Sequence, residues 1–304
     1  MRKKEKHSEA FLGKYRDFWW NHDFLDLMAK RWDLRKANSM ADIGCGLGHW
    51  SRLLFQYLKP KTRLVGVDLE KNYIKRAPIE FHRAYPKAKK EQYSFLVGDA
   101  MRLPLSSDSF DVVTCQTLLI HLKNPEIALT EMIRVAKPGG LITCSEPSGI
   151  VGELELSSLT HQKSVESFVK YFEYILRYQR GKMALGEGDN SFGDLLPGLF
   201  AKLGLVNIKV YQSDKPSPLF PPYRDKEQRI LLDQMMKWKR EGTGGWDPKL
   251  SKRRVLAGGG SKKFFSSMWR AFEKDFKDFR SAVRQEKFHG AGGSVSYLVS
   301  ARKK

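Results

Sequence analysis

The residues of this chain best placed to do chemistry are three acids, each at or near the end of an apolar run, and one glycine-rich turn. Asp42-Ile43-Gly44-Cys45-Gly46-Leu47-Gly48 lies where the apolar residues 40–43 give way to the amphipathic residues 49–58. A strand-to-helix turn of that composition lets the backbone approach a ligand that side chains would otherwise obstruct. The dinucleotide fingerprint is G-x-G-x-x-G; here the spacing is G-x-G-x-G, with an acid two residues before the first glycine. A carboxylate beside the turn repels a pyrophosphate and suits a ligand that carries an ammonium group. Asp68 closes the run 63–68, and Asp99 follows the run 93–97 in Val97-Gly98-Asp99-Ala100. One such acid alone reads equally well as a turn or cap residue. Three in the same register point to a binding edge.

Those residues need a sheet to hold them. Apolar runs at 40–43, 63–68, 93–97, 110–115 and 141–145 alternate with helical patterns at 49–58, 72–85 and 125–136, the last stopped by Lys137-Pro138-Gly139-Gly140. The run 63–68 is apolar without alternation, as in a strand covered on both faces. This order implies right-handed parallel crossovers, hence a doubly wound α/β fold. Runs at 206–211 and 294–300 bring the mostly parallel sheet to seven strands. Around it the sequence predicts an N-terminal helical cap (1–36) and a core at 37–148 that continues at 191–212 and 293–304. Two helical insertions, 149–190 and 213–292, complete the chain. The first carries Val165, Phe168, Val169, Phe172, Ile175 and Leu176 on one face, which is expected to be buried. The second reads as a Pro-rich turn, a helix at 228–239, a basic Gly-rich loop, and a helix at 263–287 with Phe265, Met268, Phe272, Phe276, Phe279 and Val283 in one stripe.

Composition narrows the class of protein. Of 304 residues, 41% are hydrophobic and 12% aromatic, enough apolar surface to offset chain entropy in a folded core. No run approaches the roughly 18 apolar residues of a membrane span, and the charged residues 1–6 lead into no apolar signal core, so a cytoplasmic location is expected. Cys45, Cys115 and Cys144 sit in or beside strand-like runs without CxxC spacing, which argues against a disulfide framework and against zinc; no metal is expected. The formal charge of +20 makes nucleic acid or an anionic membrane surface a conceivable partner. Much of it is local: residues 237–263 hold nine Lys or Arg against Glu241 and Asp247. A solvated surface is the ordinary reading of such a stretch.

Read in order, these motifs resemble the class I S-adenosylmethionine-dependent methyltransferases, a Rossmann-like family, over residues 40–148 and the last strands. Leu103-Pro104 with Asp108-Ser109-Phe110-Asp111, and Arg134-Val135-Ala136-Lys137-Pro138-Gly139-Gly140, match the family's approaches to its fourth and fifth strands. Within the family the chain is similar to the small-molecule type that includes the ubiquinone and menaquinone biosynthesis methyltransferases. The resemblance implies S-adenosyl-L-methionine as cofactor. Gly44, Gly46 and Gly48 would follow its methionine and ribose parts, with Asp42 near its amino group. Asp68 would accept from the ribose hydroxyls and Leu69 would pack on the adenine, which Asp99 and the Ala100 N–H would recognise. Gln116 or Thr117 would hold the methionine end. Tyr15 and Trp19 could close over the cofactor, although packing is their ordinary role.

A sulfonium methyl is already electrophilic, so catalysis would consist of in-line placement of the nucleophile, exclusion of water and removal of a proton where there is one. Candidate bases are His121, His161 and Glu146, the last with Pro147 beside it and an alternative turn-forming role. The apolar and aromatic insertions suit a roof over a small organic acceptor. An RNA or DNA methyltransferase is the alternative, supported by the basic 237–263 stretch with Trp238 and Trp246 interleaved for stacking. Against it, the fourth strand ends in Thr114-Cys115-Gln116-Thr117 and lacks the Asn/Asp-Pro-Pro-aromatic motif of amino-methylating nucleic-acid enzymes. Phe220-Pro221-Pro222-Tyr223 imitates that motif in the wrong place and reads as a turn. A non-catalytic scaffold would require a broken cofactor site, and none of the expected residues is missing.

Overall fold

The computed structural model describes residues 14–153 and 155–304. Its contacts divide the chain into two compact units. One, made of residues 20–148, 190–214 and 295–304, is the sheet unit. Its strands are β1 (Ser39–Ile43), β2 (Arg63–Asp68), β3 (Tyr93–Val97), β4 (Phe110–Gln116), β5 (Ala136–Ser148), β6 (Val206–Gln212) and β7 (Val295–Arg302). They lie in the order β3-β2-β1-β4-β5-β7-β6. β7 runs antiparallel to both neighbours and the remaining pairs are parallel. The predicted doubly wound, mostly parallel seven-stranded sheet is the observed one.

Helices α1 (His22–Arg31), α2 (His49–Phe55), α3 (Lys71–Ala84), α4 (Pro125–Val135) and α6 (Leu196–Lys202) belong to this unit. β1 is buried at all five positions, and Ala41, Ile43, Val113, Cys115, Ile142 and Cys144 form the middle of a core to which Leu129, Met132 and Phe200 contribute. Chain connections leave β1 in one direction and β4 in the other, so the crevice between the ends of these two strands is the topological switch point, where open α/β sheets bind ligands. Lys137–Gly140, predicted as the turn that stops α4, lies inside β5 as an irregularity in its register: Phe110 pairs with Ala136 and Val112 with Leu141.

The second unit comprises 14–19, the described part of 149–189, and 215–294. The predicted N-terminal cap therefore contributes to both units, and its residues 1–13 lie outside the described residues. Helix α5 (Val165–Ala184) packs with α8 (Pro248–Ala257) and α9 (Lys262–Arg284), and α7 (Lys226–Glu241) packs on α9 through Leu231, Leu232, Met235 and Met236. Two expectations change here. The basic Gly-rich loop contains helix α8, which Asp247 caps by accepting from the N–H groups of Lys249 and Leu250 at 2.8 and 3.1 Å, with Pro248 at its first position. The apolar face of α5 is buried only in its second half. Tyr174 and Ile175 are covered, whereas Val165 and Val169 are 72% and 60% exposed.

Helices α5 and α8 meet backbone to backbone. A Cβ on Gly181 would lie 1.6 Å from the Arg254 carbonyl oxygen, and one on Gly258 would lie 1.9 Å from that of Arg177. Glycine inside a helix costs about 1 kcal/mol against alanine, and here it permits an approach that no side chain allows. Gly181→Ala is therefore expected to lower stability by at least about 2 kcal/mol, overpacking against rigid backbone outweighing the propensity gain. Urea unfolding monitored by tryptophan fluorescence reads this directly; an unchanged midpoint contradicts the close crossing.

Candidate functional site

At the end of β1 the chain enters the glycine turn, whose Gly44, Gly46 and Gly48 have φ of +69°, +55° and +74°. All three lie in the left-handed region that favours glycine. The turn is held to the end of β2: Gly44 and Cys45 donate to the Val67 carbonyl at 2.7 and 3.0 Å, and Gly46 donates to Asp68 Oδ2 at 2.8 Å. A Cβ on Gly44 would lie 2.6 Å from Leu118 Cδ1, so the turn also rests on the loop that follows β4. Asp42, 1% exposed, accepts from Ser51 Oγ at 2.5 Å and thereby ties the first turn of α2 to β1. Ser51 was not marked by the sequence, because a serine inside a helix reads as surface. Trp50, in the same turn, donates to Thr114 Oγ1 of β4 at 2.8 Å.

Asp68 Oδ1 accepts from the Glu70 N–H at 2.9 Å. Burial raises its carboxyl above the ordinary value, opposed by the hydrogen bonds from Glu70 and Gly46. With each oxygen engaged once, each retains acceptor capacity for a ligand hydroxyl. Leu69 beside it is 53% exposed, an apolar side chain facing solvent at the sheet edge. Asp99 Oδ1 accepts from the Met101 N–H at 2.9 Å, forming a turn within which Ala100 is buried. Ile43 pairs with Cys115 and Asp68 with Val97. The ends of β1, β2, β3 and β4 thus bring the glycine turn, Asp68, Asp99 and Gln116 to one carboxyl edge.

Gln116 is the last residue of β4 and does not follow the strand. It is 6% exposed, and its Oε1 is buried without a hydrogen-bond partner. Thr117 follows with φ +50°, a costly conformation for a β-branched residue. Both features fall at the switch point, where a ligand that donates to Gln116 would relieve the first. Positive-φ glycines that leave room for a ligand, acidic acceptors along the edge and an unsatisfied amide oxygen together fit S-adenosyl-L-methionine, whose hydroxyls and ammonium are donors.

Glu146, on β5, is fully buried. Its Oε1 accepts from the N–H groups of Leu118 and Leu119, both at 2.9 Å, and its Oε2 from that of Ile120 at 3.4 Å. The Cys115 thiol lies 3.7 Å from Oε1. A carboxylate so occupied holds the loop after β4, including the Leu118 that underlies Gly44. Its geometry is that of a positioning residue. Burial pushes the carboxyl up to about 7, against the lowering effect of those hydrogen bonds. His121 ends the short 3-10 turn Leu119–His121 with its side chain exposed.

The remaining candidates belong to the other unit. His161 is exposed, its Nδ1 3.1 Å from the Ser157 carbonyl oxygen. Tyr15 is buried, edge-on to Trp19 at 5.4 Å and to Trp238 at 5.1 Å. Trp238 is thereby engaged in packing. Trp246 packs on Phe276 at 5.0 Å beneath the Lys239 ammonium, 4.6 Å from its ring. Arg254 donates to Glu187 at 2.7 Å and to Tyr178 at 2.5 Å, and Arg253 also pairs with Glu187. These tryptophans and arginines of the 237–263 stretch thus make contacts within their own unit.

Comparison with known proteins agrees with this geometry. Residues 41–144 match the model of the methyltransferase domain family. Demethylmenaquinone methyltransferase of Staphylococcus aureus is 30% identical over 143 residues, 47% of this chain and 53% of the relative, so the chain spans about half the length of the curated relatives it matches. The solved structure of the YcgJ protein of Bacillus subtilis superposes with a TM-score of 0.52 at 18% identity, covering 93% of this chain and 99% of that one. The sheet unit is a Rossmann-like methyltransferase fold. The similarity to the methyltransferase domain family lies within this unit, at residues 41–144.

Because the folded-state carboxyl of Glu146 lies above its ordinary 4.5, the folded chain binds a proton that the unfolded chain has released. Its contribution is present below about pH 4.5 and is lost as the pH rises through about 7, a swing of roughly 3 kcal/mol. Glu146→Gln, which does not titrate, should flatten the decline in urea midpoint between about pH 5 and 8. Identical pH profiles for both proteins would remove Glu146 from this role.

Proposed function

We propose that the chain transfers a methyl group from S-adenosyl-L-methionine to a small organic acceptor by in-line displacement. The observation that carries the reading is the shared carboxyl edge: the glycine turn on the end of β2, Asp68 and Asp99 along the edge, and the unpartnered amide oxygen of Gln116 at the switch point. The bound cofactor supplies an electrophilic methyl on a sulfonium. The protein's part is to hold and orient it. Asp68 and Asp99 accept hydrogen bonds at its nucleoside end, Leu69 offers an apolar face, and Asp42 and Gln116 stand at the amino-acid end. Glu146 keeps the loop after β4 in register, and His121, exposed on that loop, takes up the proton where the acceptor carries one.

Support for a small acceptor comes from the packing of Trp238 and Trp246 and the internal pairing of Arg253 and Arg254, which leave the 237–263 stretch without the exposed stacking residues of a nucleic-acid track. The name of the Staphylococcus aureus relative, a demethylmenaquinone methyltransferase, points to a quinone-like acceptor in the same class. Among the described residues no helix is long and apolar enough to cross a membrane.

Calorimetry is expected to show binding of S-adenosylhomocysteine and none of nicotinamide dinucleotides. Asp68→Ala removes a charged acceptor worth about 1.5–3 kcal/mol per hydrogen bond and should weaken the former at least tenfold. Unaltered affinity in this variant rejects the assignment of the edge. For the acceptor, a panel of hydroxylated aromatics and quinols should accept labelled methyl, with His121→Ala lowering kcat while leaving cofactor affinity intact. Transfer to RNA or DNA with steeply salt-dependent binding, and none to the panel, would replace this reading with the nucleic-acid one.

A further inference from the structure

Helix α9 presents two faces of opposite character. Phe265, Met268, Phe276, Phe279 and Ala282 are buried. At 100° per residue, Lys263, Arg270, Lys274, Lys277, Arg280 and Arg284 all fall within roughly a third of the circumference on the other side, and all six are exposed. The row runs most of a helix about 34 Å long. The same sector also holds Ser266 and Ser281, small and polar, and one acid, the partly buried Glu273. The acids of the helix are drawn off to other partners or to the flank: Glu273 bonds Lys239 at 2.5 Å, Asp275 bonds Lys163 at 2.7 Å, and Asp278 bonds Lys274 at 2.5 Å. Lys263, Arg270, Lys277, Arg280 and Arg284 form no ion pair among the described residues. Cations at spacings of three and four repel one another along a helix. An isolated surface would be more stable with acids interleaved, so the row is arranged for an external anion.

We infer that the solvent face of α9 docks the protein electrostatically on an anionic phospholipid bilayer. The shape of the row selects this partner. Its cations point one way along a straight rod, which meets a plane of phosphates along its whole length. Each Lys or Arg held near an anionic bilayer strengthens the attraction, which extends about a Debye length. Trp269, the aromatic nearest the row, stacks on Phe265 at 5.6 Å and is not offered to a base. The apolar face of α9 is committed to the core, so the contact is with headgroups and involves no insertion. The inference is independent of the acceptor, since it concerns binding without turnover.

The test is sedimentation of the full chain with vesicles of phosphatidylcholine alone or of phosphatidylcholine with roughly a third phosphatidylglycerol, at low and moderate salt. Binding is expected to the anionic vesicles only and to fall steeply with salt. Arg270→Gln, Lys274→Gln, Lys277→Gln and Arg284→Gln together should weaken it at least tenfold while leaving S-adenosylhomocysteine affinity and the urea midpoint unchanged. A control losing the same charge elsewhere, at the exposed Lys61, Lys75, Lys87 and Lys90, should retain binding within about threefold. Equal binding to neutral vesicles, or equal losses in the two quadruple variants, would overturn the inference. So would duplex RNA binding more tightly than the vesicles and being lost with the α9 row.

Discussion

The hydrogen bond from the Gly46 N–H to Asp68 joins the two features on which the site depends, the left-handed turn after β1 and the acid at the end of β2. In a parallel sheet those ends are neighbours only if β1 and β2 keep the register that pairs Ile43 with Val67. A shift of one residue would carry Asp68 to the opposite face of the sheet. The packing of Val65 and Val67 in the core therefore does more than stabilise the strand: it decides which side the carboxylate faces. The turn is secured from a second direction by Leu118, itself set by the buried Glu146 carboxylate. Both acids act first on backbone N–H groups of a neighbouring loop, and the surface offered to a ligand is what those bonds leave accessible.

The sheet and its edge were legible in the sequence because both depend on local signals. Apolar runs of strand length, a Gly-rich turn and acids at strand ends need no knowledge of distant contacts. What escaped was set by tertiary partners. The bland segment 248–257 reads as loop because its basic residues hide a weak helical pattern, yet the Asp247-Pro248 start was a helix signal, and Gly181 with Gly258 is what lets this helix lie on α5. Helix α5 looks amphipathic throughout, and nothing in its periodicity tells that Val165 and Val169 remain uncovered while Tyr174 and Ile175 do not. Glu146 looked like a base at a strand end; its three backbone partners lie 26 to 28 residues away in sequence, beyond the reach of any motif.

Charge shows the same limit. Composition alone makes the 237–263 stretch the most cationic feature, yet Lys239, Arg253 and Arg254 are engaged with Glu273, Glu187 and Tyr178. The row that stays unpaired except at Lys274 lies mostly one helix further on. Its clustering is visible only when the residues are placed around α9 and the partners of the intervening acids are known. Net charge describes a chain's long-range field, whereas a docking surface depends on which cations remain uncompensated after the fold has used the others.

The end of β4 carries two local costs, and they are of different kinds. Thr117 holds a backbone conformation worth about 1–3 kcal/mol of strain, and a buried amide oxygen at Gln116 without a donor forfeits about the same. Neither is offset by packing at the residue itself. Both persist because neighbouring constraints leave little choice: Cys115 and Gln116 are paired with Cys144 and Ser145, the Thr117 N–H donates to Ser145, and the next three N–H groups converge on Glu146. The loop is thus over-determined on the side away from the crevice. Its unsatisfied polar atom sits at the switch point, beside the glycine turn, so a donor arriving there gains a preformed acceptor without reorganising the chain. Preorganisation of this kind lowers the cost of binding, and it places the strain of the fold at the crevice where open α/β sheets take their ligands.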